Sequence, residues 1–145
     1  MTEIDFHAMN RDVVAEFRAN AGKVGGPLFE NTDIVLLHNT GAKSGEARLN
    51  PLAAFTIDGR LLIVGSKGGD PKDPAWVHNL RAHPNVHVEI GTDSYDATAH
   101  ELPRAERDPL YVKIAAQAPN FGEYQAKTDR IIPLFELQRE GGVEA

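Results

Sequence analysis

The sequence predicts a mainly β fold, a mostly antiparallel barrel with peripheral helices, on three observations. Short apolar runs rich in β-branched residues recur along the chain, tight-turn signals such as Asp58-Gly59 and Gly91-Thr92-Asp93 join them in pairs, and strands do not alternate regularly with helices. At 145 residues the chain fits one ordinary domain with one core, so residues 1–145 are expected to form a single barrel domain carrying an amphipathic helix near residues 10–21.

In chain order, Asn10 is placed to cap a helix through about Asn20, with Met9, Val13 and Phe17 on one face and Gly22 to end it. That stripe suits packing onto a sheet first and peripheral contact with a membrane surface second. Ile34–Leu37 reads as a strand followed by a turn at Asn39-Thr40-Gly41; a second strand runs from about Ala47 to Thr56, and a third from Arg60 to Ser66. Pro51 removes a ladder donor and marks a sheet edge or bulge. After the glycine loop at Lys67-Gly68-Gly69-Asp70, Asp73 is expected to cap a helix with Pro74 at its first position, running to about Ala82. Val86–Ile90 and Tyr95–Leu102 form a hairpin. From Pro103 the pattern turns helical, with Leu110, Ile114 and Gln117 along one face and Pro119 as the stop; a further helix covers about Phe121 to Arg130, and Ile131–Leu137 reads as a last strand.

Composition narrows the function. There is no cysteine, which excludes disulfides, thiol nucleophiles and thiolate metal sites, so any redox chemistry must come from a bound cofactor. No apolar run reaches the roughly 18 residues of a membrane span, and Met1-Thr2-Glu3-Ile4-Asp5 lacks a signal-peptide pattern, so a soluble, cytoplasmic protein is expected, with membrane association only through the N-terminal helix. A net charge of −6 argues against nucleic-acid binding. The charge is uneven, however: residues 1–40 carry three cations against six carboxylates, whereas residues 41–81 carry six against four. A locally basic middle suits a small anionic ligand.

That middle holds the densest signal, Thr40-Gly41-Ala42-Lys43-Ser44-Gly45-Glu46-Ala47-Arg48, then Pro51 and Gly65-Ser66-Lys67-Gly68-Gly69. Glycines let backbone N–H groups approach an anion, and lysine and arginine add charge-assisted hydrogen bonds; two ordinary turns with solvated charges would look the same. The string is not a Walker loop. Trp76 and Asn79 lie one turn apart, where a planar ring could stack on the indole while the amide bonds its edge; the competing reading is a core tryptophan that anchors the helix to the barrel. The histidines show no helical metal-ligand pair, no Gly-x-Ser-x-Gly elbow is present, and neither Ser44 nor Ser66 has an assigned base, so no metal site or hydrolase triad is expected. Tyr124 could donate a proton, shape a pocket or simply pack.

Taken together, Thr40-Gly41-x-Lys43-Ser44-Gly45, Arg48, Pro51, Ser66-Lys67-Gly68-Gly69, Pro74-x-Trp76-x-x-Asn79 and the stretch from Tyr124 to Arg130 resemble the deazaflavin-dependent nitroreductase family of actinobacteria, in the flavin/deazaflavin oxidoreductase subgroup A. The resemblance runs from about Phe17 to Pro133. It implies a split β-barrel akin to the FMN-binding pyridoxamine-phosphate oxidases, and 8-hydroxy-5-deazaflavin, coenzyme F-420, as cofactor. By that resemblance Lys43, Arg48 and Lys67 hold the anionic phosphodiester and tail, Ser66, Gly68 and Gly69 line the groove, and Pro74, Trp76 and Asn79 flank the ring, with Ser44, Asn50, Pro51 and Ala75 completing the cofactor-binding set. The reaction implied is hydride transfer to a small-molecule electron acceptor: a quinone, an enone or a nitro compound. Tyr124 and Ser66 are the candidates for touching the substrate. Relatives often carry bulkier residues at Ala75 and Val77 and a tyrosine at Phe121, so the pocket is expected to be reshaped. The alternatives are a deazaflavin-binding or storage protein without chemistry and an FMN-dependent oxidoreductase on the same barrel.

Overall fold

The computed structural model describes Val14, Ala15, Phe17, Ala19, residues 33–66 and residues 72–139. Its strands follow from the turn signals. Asp58 and Gly59 both adopt positive φ, 54° and 78°, the backbone of a type I′ turn, and join β2 (Ala47–Ile57) to β3 (Arg60–Val64) with Ile57 opposite Arg60. Gly91, at φ 59°, turns β4 (Asn85–Ile90) into β5 (Asp93–Glu101). β1 (Asp33–Thr40) pairs with both β2 and β4, while β6 (Leu134–Arg139) fills the place between β3 and β5. The result is a closed antiparallel barrel in the order β1-β2-β3-β6-β5-β4. The helices α1 (Ala75–Ala82), α2 (Arg104–Gln117) and α3 (Pro119–Ala126) accompany it, and Val14, Ala15, Phe17 and Ala19 are helical as well.

The period-two alternation of each strand divides the apolar residues between two faces. Val35, Leu37, Ala54, Ile63, Val86, Val88, Ala97, Ala99, Phe135 and Leu137 form one cluster, and α1 contributes Trp76, Val77 and Leu80 to it, plugging one end of the barrel. On the outer face Phe55, Ile57, Leu62, Val64 and Leu134 are covered by Leu110, Tyr111, Ile114 and Phe121 of α2 and α3. Phe17 and Val14 pack against Ile34 and Leu36 of β1, which is the sheet-packing role expected of the N-terminal helix; its remaining residues, Asn10, Met9 and Val13 among them, lie outside the described residues. No described helix is long and apolar enough to cross a membrane.

The topology gathers chosen segments at one end. The close of β1, the start of β2, the close of β3 and the start of β6 all lie there, so the β1–β2 turn, the β3–α1 connection and α1 itself share it. Pro51 sits opposite Leu36, and β3 pairs with β2 only from Ala54 onward, so the missing donor at Pro51 falls on a locally unpaired edge, as the sequence suggests.

Several boundaries differ from expectation, each for a physical reason. Asn39 and Thr40 belong to β1, paired with Arg48 and Ala47, and the turn begins only at Gly41. Asp73 does not cap α1; its carboxylate instead accepts from Arg130 Nη1 at 2.8 Å and Arg81 Nη1 at 3.3 Å, charged donors that outcompete a backbone amide. Gln117 is exposed, and Arg107 and Tyr111 are buried with Leu110 and Ile114 instead. α3 stops at Ala126 rather than near Arg130 because the Gln125 side chain draws the chain back, donating to the Arg130 carbonyl at 2.8 Å and accepting from the Ile132 amide at 3.0 Å. β6 begins after Pro133, which has no amide to give the ladder but whose carbonyl accepts from the Gly65 amide at 2.9 Å.

Gly65 is required at that crossing. A Cβ there would stand 2.8 Å from both Pro133 Cγ and Val77 Cγ2. Gly65→Ala is therefore expected to push α1 away from β6 and cost about 1–3 kcal/mol, read as a fall in the urea midpoint; an unchanged midpoint would refute the close approach. At the other end of α1, Arg81 grips Glu101 of β5 with two bonds of 2.7 and 2.8 Å, and that hydrogen bonding holds the Glu101 carboxyl below the usual carboxylate range. A depressed folded value means the pair stabilises the fold above the ordinary glutamate range near about 4.3 and loses that contribution as the pH falls through the folded value. Urea unfolding from pH 7 to pH 3 should accordingly show a shallower acid loss in Glu101→Gln than in the parent.

Candidate functional site

A chain of buried amides organises the end of the barrel beneath α1. Asn39 extends the inward alternation of Val35 and Leu37 along β1 and is only 4% exposed; its Nδ2 donates to the Leu37 carbonyl at 3.1 Å and to Asn50 Oδ1 on β2 at 3.0 Å. Asn39 Oδ1 accepts from Asn79 Nδ2 at 2.8 Å, and Asn79 Oδ1 accepts from the Ala42 amide at 2.8 Å. Asn79, 8% exposed, thus spends its side chain holding the β1–β2 turn against the helix.

The turn so held is tight. The Gly41 amide donates to the Glu46 carbonyl at 2.8 Å and the Gly45 amide to the Gly41 carbonyl at 3.0 Å; Gly45 takes φ 70°, where glycine is favoured. Ser44 Oγ accepts from the Glu46 amide at 3.1 Å and shapes the loop from within. Lys43 and Arg48 are exposed upon it. Among the described residues Arg48, at the start of β2, meets only Glu46, at 3.8 Å, and Lys43 makes no ion pair, so both cations stay available to an anion.

Ser66 closes the second side. It is 8% exposed, and among the described residues its hydroxyl has no hydrogen-bond partner, an orphan that would bond a bound polar ligand well. Its carbonyl accepts from Arg130 Nη2 at 2.7 Å, while Arg130 Nη1 reaches the Gly65 carbonyl at 3.1 Å and Asp73 at 2.8 Å. Lys67, Gly68 and Gly69 lie outside the described residues.

Of the α1 residues, Pro74 is buried and Ala75 exposed at the start of the helix. Trp76 takes the core-anchor role rather than the ring-stacking one: it is 6% exposed and its indole packs 5.8 Å from the Phe135 ring inside the barrel. Asn79 likewise acts through the turn it holds. Tyr124 is half-buried on α3, its hydroxyl accepting from Asn120 Nδ2 at 3.2 Å and its ring packed edge-on to Phe121 at 5.3 Å; no hydrogen bond joins it to Ser66. Phe121 belongs to the core under α2, against Phe55, so a tyrosine there would not open directly onto the Ser66 end. Tyr111 is no proton donor: burial pushes its phenol up to about 12, and its hydroxyl donates to the Phe121 carbonyl at 2.7 Å.

Two residues of this end, Asn39 and Arg130, have roles that the sequence reading does not assign. Asn39 was legible in principle, as a polar residue on the inward alternation of an apolar strand. Arg130 carries no local signal, because its partners are 57 to 65 residues away in sequence.

Comparison with known proteins gives a consistent answer. A family model described as F420H2-dependent quinone reductase matches residues 9–139. An F420H2-dependent quinone reductase of Mycobacterium tuberculosis is 35% identical over 130 residues, covering 86% of each chain. A solved structure of an F420-H2 dependent reductase, FDR-A, is 44% identical with a TM-score of 0.65, covering 72% of this chain and 93% of that one. The HutZ heme storage protein of Vibrio cholerae, 16% identical with a TM-score of 0.56 and 89% of each chain covered, shares the fold alone.

The amide chain makes a stability prediction. Asn79→Ala leaves the Ala42 amide and the Asn39 side-chain Oδ1 without partners and should cost about 1–3 kcal/mol, with faster hydrogen exchange at Ala42 than in the parent. Unaltered exchange at Ala42 would mean that the turn does not depend on α1.

Proposed function

The chain belongs to the F420H2-dependent quinone reductase family, and from that premise we propose that it binds reduced coenzyme F-420 at the α1 end of the barrel and reduces a quinone there. The observation that carries the siting is the β1–β2 turn, pinned by buried amides, with the weakly neutralised cations Lys43 and Arg48 at the same end of the barrel as the orphaned buried hydroxyl of Ser66. The donor set fits the group. Lys43 and Arg48 suit the anionic phosphodiester and tail, and Ser66 offers a neutral hydrogen-bonding group nearby along the rim of the same end. The glycines and lysine that follow Ser66 in sequence are of the type that lets backbone approach an anion.

When bound, the reduced coenzyme supplies the hydride; the protein's part is to bind, orient and exclude water. Lys43 and Arg48 fix one end of the coenzyme by charge. Ala75, exposed at the start of a helix seated in the barrel by Trp76, Val77 and Leu80 and backed by the buried Pro74, presents a rigid apolar border for a planar ring. Trp76 and Asn79 support that border from behind. Ser66, past the close of β3, and Tyr124, on α3, are the hydroxyls proposed to contact the acceptor. A storage protein would use the same cations, and an FMN enzyme the same barrel; the family membership favours the deazaflavin reductase over both. Enones and nitro compounds extend the proposed acceptor class.

Titration of the protein with reduced coenzyme F-420, followed by absorbance with and without menadione, tests the proposal. Lys43→Ala and Arg48→Ala should each weaken binding roughly tenfold, the size of one charge-assisted hydrogen bond of about 1.5 kcal/mol, and slow menadione-dependent oxidation in step. Tight binding with no oxidation by any acceptor would leave a carrier; no binding would overturn the assignment.

A further inference from the structure

We infer that Arg130 is a positioning residue of the coenzyme site, a clamp that ties together the two ends of the connection between β3 and α1. The inference rests on the reading above, in which Ser66 and the start of α1 border the bound coenzyme. The guanidinium donates from Nη2 to the Ser66 carbonyl at 2.7 Å, and from Nη1 to the Gly65 carbonyl at 3.1 Å and Asp73 Oδ1 at 2.8 Å. The first two contacts hold the segment leaving β3; the third holds the segment entering α1. The side chains are well shielded, 15% exposed for Arg130 and 19% for Asp73.

The clamp has its own support. Gln125 donates to the Arg130 carbonyl at 2.8 Å, and Gln125 Oε1 accepts from Arg107 Nη2 at 2.6 Å and the Ile132 amide at 3.0 Å. Arg107 is buried, its guanidinium 4.2 Å from the Tyr111 ring centroid and its Nε bonded to the Ile132 carbonyl at 3.0 Å. The α2–α3 pair therefore reaches the site through a continuous path, from Arg107 through Gln125 to Arg130 and on to Ser66. A planar fork is needed at its tip, because a lysine ammonium at the same place is a point donor and cannot keep the three bonds in their directions.

Removing the fork while keeping the charge separates positioning from bulk stability. In Arg130→Lys the KM for reduced coenzyme F-420 should rise about tenfold while kcat with menadione at saturating coenzyme stays within about twofold, the signature of lost ground-state positioning. Without coenzyme, the Gly65 and Val77 amides, bonded to the Pro133 and Pro74 carbonyls, should exchange faster in the variant while those of Leu62 and Ile63 do not change. Asp73→Asn, which weakens one arm only, should show the same pattern at smaller amplitude and serves if Arg130→Lys does not fold. Parent-like KM, a fall in kcat alone, or unchanged exchange at Gly65 and Val77 would each overturn the inference. Failure of the parent itself to bind the coenzyme would instead overturn the proposed function, and the exchange measurement would still decide whether the clamp exists.

Discussion

The buried amide chain from Asn50 through Asn39 and Asn79 to the Ala42 backbone is the constraint on which the rest of this end of the molecule depends. Apolar packing of Trp76, Val77 and Leu80 brings α1 into the mouth of the barrel, but such packing has no direction and would tolerate a helix rotated or slid by a fraction of a turn. The amides do not tolerate it. Asn39 and Asn79 are shielded from water, so a slip would leave donors and acceptors unsatisfied at a cost of kilocalories. One helix is thereby locked to one turn, and the cations on that turn acquire a fixed position relative to the start of the helix.

This arrangement divides labour along α1. Residues that look most like ligand contacts by type, the lone tryptophan and the asparagine on its face, are turned inward and serve as foundations, whereas the small exposed Ala75 and the cations of the neighbouring turn face outward. A rigid foundation under simple contact groups favours binding because little order remains to be created when the ligand arrives. The site is also built from two halves of opposite character. The β1–β2 half is held by neutral amides, and the β3–α1 half by the ion pair of Arg130 with Asp73 and by two backbone carbonyls.

Local signals carried most of the architecture. Turn dipeptides located both hairpins, alternation located the strands, and even the edge position of Pro51 was legible from its missing donor. Illegible were the choices settled by distant partners. Asp73 stands where a helix cap belongs, and only Arg130, far along the chain, explains why it does not act as one. The early end of α3 and the late start of β6 similarly reflect what Gln125 and Gly65 bond to. For the proposed site, Lys43, Ser44, Arg48 and Ser66 were legible as residue types suited to an anion, and the antiparallel barrel sets the segments that carry them at one end. Whether Trp76 stacks on a ligand or packs on Phe135 could not be read from spacing, since a helix face has the same period in either case.

The strand order holds a consequence for how the chain reaches this state. β3 and β5 both find a partner in β6, which follows every other element described, so one place in the barrel wall, between β3 and β5, stays open until the last strand is made. During synthesis the two hairpins can form early from adjacent residues, but the intact cylinder, and with it the dry interior that receives Trp76, must await residues 134–139 leaving the ribosome. Until then β3 and β5 present bare edges, the kind of surface on which nascent chains pair with the wrong neighbour.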